Sequence, residues 1–255
     1  MSNTSRVDQS MFESGHYLGK PADAGDLITE RRIRIVRAVP GFVGKELTLL
    51  EIGCGNGATM LKLASEFRDV TGLEYNEAHQ AEYEKIKEEL GVQNSVFKQW
   101  DMMAGAYMPS ADRLISFEVI EHLPSEDGLA NYFGSLKPGG WAAFSVPNKW
   151  WIFETHGARL PLLPWNRVPF FSWLPTPIHE KWANARIYTK KRIVKLLEKH
   201  GFVIEKCEYV TAPMDVVKWK PLKNFLRKWV FNSDTTSNPF KAVSILIIAK
   251  KPSNE

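Results

Sequence analysis

Two short constellations in this 255-residue chain combine residue types that do chemistry. The first is Leu49-Leu-Glu-Ile-Gly-Cys-Gly-Asn-Gly57, an apolar run ending in G-x-G-x-G. There Gly53 permits a tight turn, Gly55 lets a ligand lie against bare backbone, and Gly57 allows close helix packing. Glu74, 21 residues beyond Gly53, ends the next apolar run, where a carboxylate accepts both hydroxyls of a ribose. The second constellation is Glu118-Val-Ile-Glu-His122. Its acids and histidine stand at i, i+3 and i+4 and share one helical face if a helix starts there. Glu118, Glu121 and His122 then form a partial site for Mg²⁺, Mn²⁺ or Zn²⁺, with His179 as a fourth ligand. In the plainer reading the same groups order a loop and line a pocket without metal. Either way His122 and His179 are candidate general bases, because an imidazole titrates near neutrality.

A nicotinamide enzyme uses a similar glycine turn. Here the spacing is G-x-G-x-G rather than G-x-G-x-x-G, and Glu51 stands just before the turn. A carboxylate at that point repels a pyrophosphate and suits a cationic amino-acid ligand. That favours S-adenosylmethionine (SAM).

Elements must position these groups. Leu47 to Ile52, Val70 to Leu73, Ser95 to Gln99, Arg113 to Phe117 and Trp141 to Val146 have the apolar character of buried strands. Between them, Ala58 to Phe67 and Asn76 to Leu90 have helical spacing and composition. Tyr188 to His200 is expected as a helix capped by Thr189 and stopped by Gly201, with closing strands at Val203 to Val210 and Val243 to Lys250. Residues 1–25 have no clear pattern, and Arg31 to Val39 fits a basic, amphipathic lead-in helix. This alternation implies an α/β fold, a doubly wound and mostly parallel sheet.

Composition sets the bounds. With 44% hydrophobic and 24% charged residues the chain suits one core. One domain is expected over 1–255, with a lead-in over 1–45, an insertion over 148–185 and another over 212–240. Two cysteines exclude a disulfide framework and suit a reducing compartment, and the N-terminus lacks the apolar core of a secretory signal. The longest apolar candidate for a membrane span, Trp150 to Ile178, is broken by five prolines. A cytoplasmic protein is expected, with peripheral contact at the inner membrane surface.

These residues resemble the class I SAM-dependent methyltransferases over roughly 30–250. EIGCGNG (51–57) is similar to that family's first motif, Glu74 to its ribose-binding acid, and Asp101 to the residue that contacts the adenine amino group. ADRLISFEVIEHLP (111–124) and LKPGG (136–140) resemble its fourth-strand motif and the turn before its fifth strand. The resemblance implies a Rossmann-like, seven-stranded sheet with a reversed last strand. It also implies a SAM site of Glu51, Gly53, Cys54, Gly55, Gly57, Glu74, Tyr75, Asp101, Met102 and Phe117. The closest motif match is to the ubiquinone-biosynthesis O-methyltransferases, which share E-x-x-E-H and in which the segment after the fifth strand meets the membrane. Small-RNA 2′-O-methyltransferases are also similar over FEVIEH and VPN (146–148). Their later histidine, matched by His179, completes a metal site, but the stretch from Asn148 to His179 is longer than that resemblance implies.

Residues 148–185 hold five of the nine tryptophans and few charges. Lys218 to Phe231 carries five basic residues, no acid, and Trp219, Leu222, Leu226 and Trp229 at near-helical spacing, as in an interfacial helix. Lids and core-packed helices have similar compositions. The expected function is methyl transfer to an oxygen of a small lipophilic acceptor, such as a quinol, phenol or lipid. A metal-dependent RNA 2′-O-methyltransferase and a non-catalytic SAM-binding regulator are the alternatives.

Overall fold

A computed structural model describes residues 25–160, 163–165 and 169–253, with backbone alone at 159–160 and 163–165. The expected irregularity of residues 1–25, all but Gly25, and the side chain of Trp165 therefore lie outside the described residues.

Eight strands form one sheet: β1 (Gly44–Ile52), β2 (Phe67–Glu74), β3 (Ser95–Gln99), β4 (Ala111–Phe117), β5 (Leu136–Pro147), β8 (Val203–Thr211), β9 (Thr235–Thr236) and β10 (Ala242–Lys250). Their order is β3-β2-β1-β4-β5-β10-β8-β9. β1 to β5 pair in parallel, and β10 runs antiparallel to both β5 and β8. The expected seven strands and reversed last strand are present. The two-residue β9 adds an eighth at the edge beside β8.

Strand side chains alternate between two apolar layers, as the two-residue period requires. Leu50, Leu114, Phe144 and Ile247 face one layer, closed by α4 (Leu129–Gly134) and α6 (Lys190–Lys199). Leu49, Ile115, Ala143 and Ile248 face the other, closed by α1 (Leu27–Arg37), α2 (Ala58–Leu63) and α3 (Gln80–Glu89). Thr189 caps α6 as expected, its hydroxyl accepting the Arg192 N–H at 3.2 Å.

The lead-in helix differs from its expected form. It starts at Leu27, four residues early, and of its four arginines Arg34 and Arg37 are exposed. Arg31 and Arg32 are buried, Arg31 donating to the carbonyls of Thr211 and Ala212 at 2.6 and 3.1 Å.

Everything of chemical interest projects from one edge. β1, β2, β4 and β5 all end there, and pairing of Ala242 with Thr211 and Ser244 with Pro147 puts the β8–β10 connection at the same edge. The insertion after β5 contains a hairpin of β6 (Ala158–Leu160) with β7 (Leu163–Trp165), then α5 (Thr176–Trp182). The β8–β10 connection carries α7 (Lys220–Trp229). Among the described residues no helix is long and apolar enough to cross a membrane.

Candidate active site

The glycine turn follows directly from β1. Gly53 has φ +71, and a Cβ there would lie 2.3 Å from Val119 Cγ2. Gly57 has φ +74 and touches Tyr83 of α3, where a Cβ would approach to 2.7 Å. The turn is therefore pressed against both the next helix and the segment leaving β4. Glu74 closes it from β2: its carboxylate accepts the Gly55 N–H at 2.8 Å and the Asn76 N–H at 2.9 Å. Asp101 accepts the Met103 N–H at 2.8 Å beside the buried Met102, and Tyr75 is exposed near Glu74 in sequence. Phe117, at the end of β4, lies under the Arg32 guanidinium at 5.8 Å.

Two of the expected cofactor residues turn inward. Glu51 is buried and accepts the Met60 N–H at 3.0 Å, so its carboxyl serves the first turn of α2. Burial, only partly offset by hydrogen bonds from Met60 and Thr59, raises its pKa to about 8. Cys54 is buried, which holds its thiol well above the ordinary range and protonated.

The E-x-x-E-H segment does not form the expected helical face. Glu118 has φ +59, and Ile120–His122 is a single 3-10 turn. The left-handed residue breaks the regular i, i+3, i+4 stacking that shared-face geometry needs. Glu118 instead accepts hydrogen bonds from Arg32 Nη2 and Ser145 Oγ, both at 2.7 Å. His179 is also diverted: it is buried in the insertion, with Nε2 2.6 Å from Glu154 Oε2. The four expected metal ligands therefore do not converge as one set.

A different set does. Glu121, His122 and His156 place one ligand atom each within 4.8 Å of one another. His156 Nε2 lies 3.5 Å from Glu121 Oε1, and the His122 and His156 rings stand edge to face at 4.9 Å. Glu121 is completely buried, and neither carboxylate oxygen has a hydrogen-bond partner. Burial and the Glu118 charge push its carboxyl well above the usual range. Burial, with His156 and Arg186 nearby, holds His122 well below the ordinary histidine value and therefore neutral.

Residues outside the sequence motifs build this cluster. Arg186 donates to the Leu123 and Pro124 carbonyls at 2.6 and 3.1 Å and fixes the turn. Glu154 accepts the His156 N–H at 3.0 Å while holding His179. The sequence signal was a histidine and a glutamate inside a weakly charged insertion, with nothing to say which histidine faces the turn.

The chain belongs to the family described as "Methyltransferase domain", which matches residues 11–206. It is a SAM-dependent methyltransferase. Over 185 residues it is 30% identical to a ubiquinone biosynthesis O-methyltransferase of Pseudomonas fluorescens, covering 68% of this chain and 78% of that protein. Its fold is that of a SAM-dependent methyltransferase from Mesorhizobium loti, with a TM-score of 0.61 at 16% identity, over 89% of this chain and 100% of that one. It also matches the N-methyltransferase NodS of Bradyrhizobium japonicum, solved with S-adenosyl-l-homocysteine, with a TM-score of 0.58 at 13% identity over 97% and 99% of the two chains.

Proposed function

We propose that the enzyme methylates an oxygen of a small, lipophilic acceptor, with a divalent cation held by Glu121, His122 and His156. The observation that carries this reading is the Glu121 carboxyl, fully buried with both oxygens unpartnered and facing two imidazoles. An isolated buried carboxylate is costly, so the position calls for a proton or a cation. One carboxylate and two imidazoles suit Mn²⁺ or Zn²⁺, and Mg²⁺ less well.

SAM supplies an electrophilic sulfonium methyl, and a cation at this cluster would lower the pKa of an acceptor hydroxyl. The protein's own groups do the rest. The turn at 53–57 and Glu74 hold the nucleoside, and Val119, in contact with Gly53, keeps the cluster beside that turn. With a cation in place these histidines are its ligands, and only without it are neutral His122 and the neighbouring His156 placed to take the acceptor proton. The insertion excludes water, its buried Trp151 and Phe171 giving it an apolar interior. A cavity of about 240 Å³ between the insertion and the β8–β10 connection is lined by Ile28, Trp151, Phe153 and Met214 together with Asp26, Thr155 and Asp215.

The test is release of S-adenosylhomocysteine with quinols, phenolic lipids and short RNAs, before and after metal removal. Turnover with quinols or phenols that chelation abolishes, with SAM binding retained, supports both parts. Full turnover after exhaustive chelation removes the cation and leaves the histidines as bases. Turnover on RNA alone replaces the acceptor with an RNA 2′-hydroxyl.

A further inference from the structure

α6 and α7 are both ten-residue, lysine-rich amphipathic helices. α6 turns its apolar side to the sheet and buries Ile193 and Leu197. α7 does the reverse. None of its residues is buried, and Trp219, Phe225 and Trp229 are 67%, 56% and 66% exposed, with Leu222 also open.

The anchoring explains the inversion. Arg227, on the opposite side of the helix from Trp229 and Phe225 at 100° per residue, donates through Nε to the Pro213 carbonyl at 2.7 Å and through Nη2 to Asp215 at 2.6 Å. Just beyond the helix, Arg31 Nη2 donates to the Phe231 carbonyl. The polar side is thus tied to the body and the aromatic side is presented outward. Lys228 lies about 60° from Phe225 around the helix and Lys218 precedes Trp219, whereas Lys220 and Lys223 fall on the Arg227 side, and no acid occurs between Lys218 and Phe231.

We infer that α7 is a docking helix for an anionic bilayer surface, presented on the same edge of the sheet as the active site. Indole rings partition into the headgroup region, where the apolar ring is sheltered and the N–H stays wet. Lysines beside them meet lipid phosphate, and the absence of acids removes repulsion. A protein partner would be matched by shape, but a run of aromatic side chains with only cations around it is complementary in charge to anionic lipid. A second exposed group, Phe170, Trp173 and Phe240, with rings 4.9 to 5.5 Å apart, joins the insertion to the β8–β10 connection and extends the apolar surface. The inference is independent of the acceptor's identity and of the cation.

The experiment is flotation of the whole enzyme with vesicles of phosphatidylglycerol and phosphatidylcholine, beside vesicles of phosphatidylcholine alone. The enzyme is expected to float with the anionic vesicles and to be released at about 0.5 M salt, where screening acts over a few ångströms. Trp219→Ala with Trp229→Ala should lower partitioning by about tenfold. SAM affinity should be unchanged, which also shows that the variant is folded. Lys218→Glu with Lys228→Glu should abolish binding to the anionic vesicles. No flotation of the wild type, or equal flotation of the tryptophan variant, overturns the inference. So does RNA binding without vesicle binding, or a dimer that forms in place of vesicle binding and is lost in the tryptophan variant.

Discussion

In the β1–β3 half of the sheet edge, Glu51, Glu74 and Asp101 already receive backbone hydrogen bonds, from Met60, from Gly55 and Asn76, and from Met103. In the β4–β5 half, Glu121 receives none, although it is the more deeply buried. The first half is held by partners within 19 residues of one another, so its shape follows from local chain geometry. The second is assembled from β4, the insertion and Arg186, and it keeps a buried carboxyl that accepts no hydrogen bond and has His156 Nε2 at 3.5 Å. One half is a finished cradle. The other retains unsatisfied chemistry, as expected where a reaction rather than a binding event is supported.

The largest expected effect lies where the halves touch. Gly53→Ala adds a Cβ against Val119 and a left-handed strain, so SAM affinity measured by calorimetry should fall at least about 100-fold. Near wild-type affinity in that variant would show that the two halves are not coupled through this contact.

The difference between the halves is sharpened by Glu121→Gln. It should lower kcat by about 100-fold while changing SAM affinity by less than about threefold. His156→Ala should act in the same direction. Equal losses of kcat and affinity would erase the distinction.

Glu51→Gln separates a structural acid from a ligand-binding one. Glu51 has a raised folded pKa of about 8, so its contribution to stability is present below the ordinary carboxylate range and is lost as pH rises through about 8. The variant should flatten the fall in melting temperature over that window and leave SAM affinity within about threefold. A large loss of affinity would return Glu51 to the cofactor.

The smallest effect is expected outside both halves. Burial alone would raise Asp112, but hydrogen bonds from Lys137 and Thr48 outweigh it and hold it at about 2. Its stabilisation is therefore present above about pH 4 and lost as pH falls toward 2. Asp112→Asn should cost roughly 2 kcal/mol at neutral pH in denaturant unfolding, with the difference vanishing in strong acid.

Much of the framework was legible in the residues. Ser95 to Gln99 forms the strand expected of it, Thr189 caps its helix, and β10 is reversed. The glycine turn sits between β1 and α2. The metal constellation was only half legible. A motif at i, i+3 and i+4 carries a shared face only if the backbone is helical, and the left-handed Glu118 removes that condition.

The sequence by itself determined the seven long strands of the sheet, where the turn lies and which cofactor it suits, because hydrophobic period and glycine placement act within a few residues. Tertiary structure alone decided the partners. Glu118 is claimed by Arg32 across 86 positions, and His179 by Glu154 across 25, leaving His156 to face Glu121. It also decided that α6 packs inward and α7 outward. An amphipathic period states that one side of a helix is apolar, but the path of the flanking loops and the arginines that tie them down settle what that side meets.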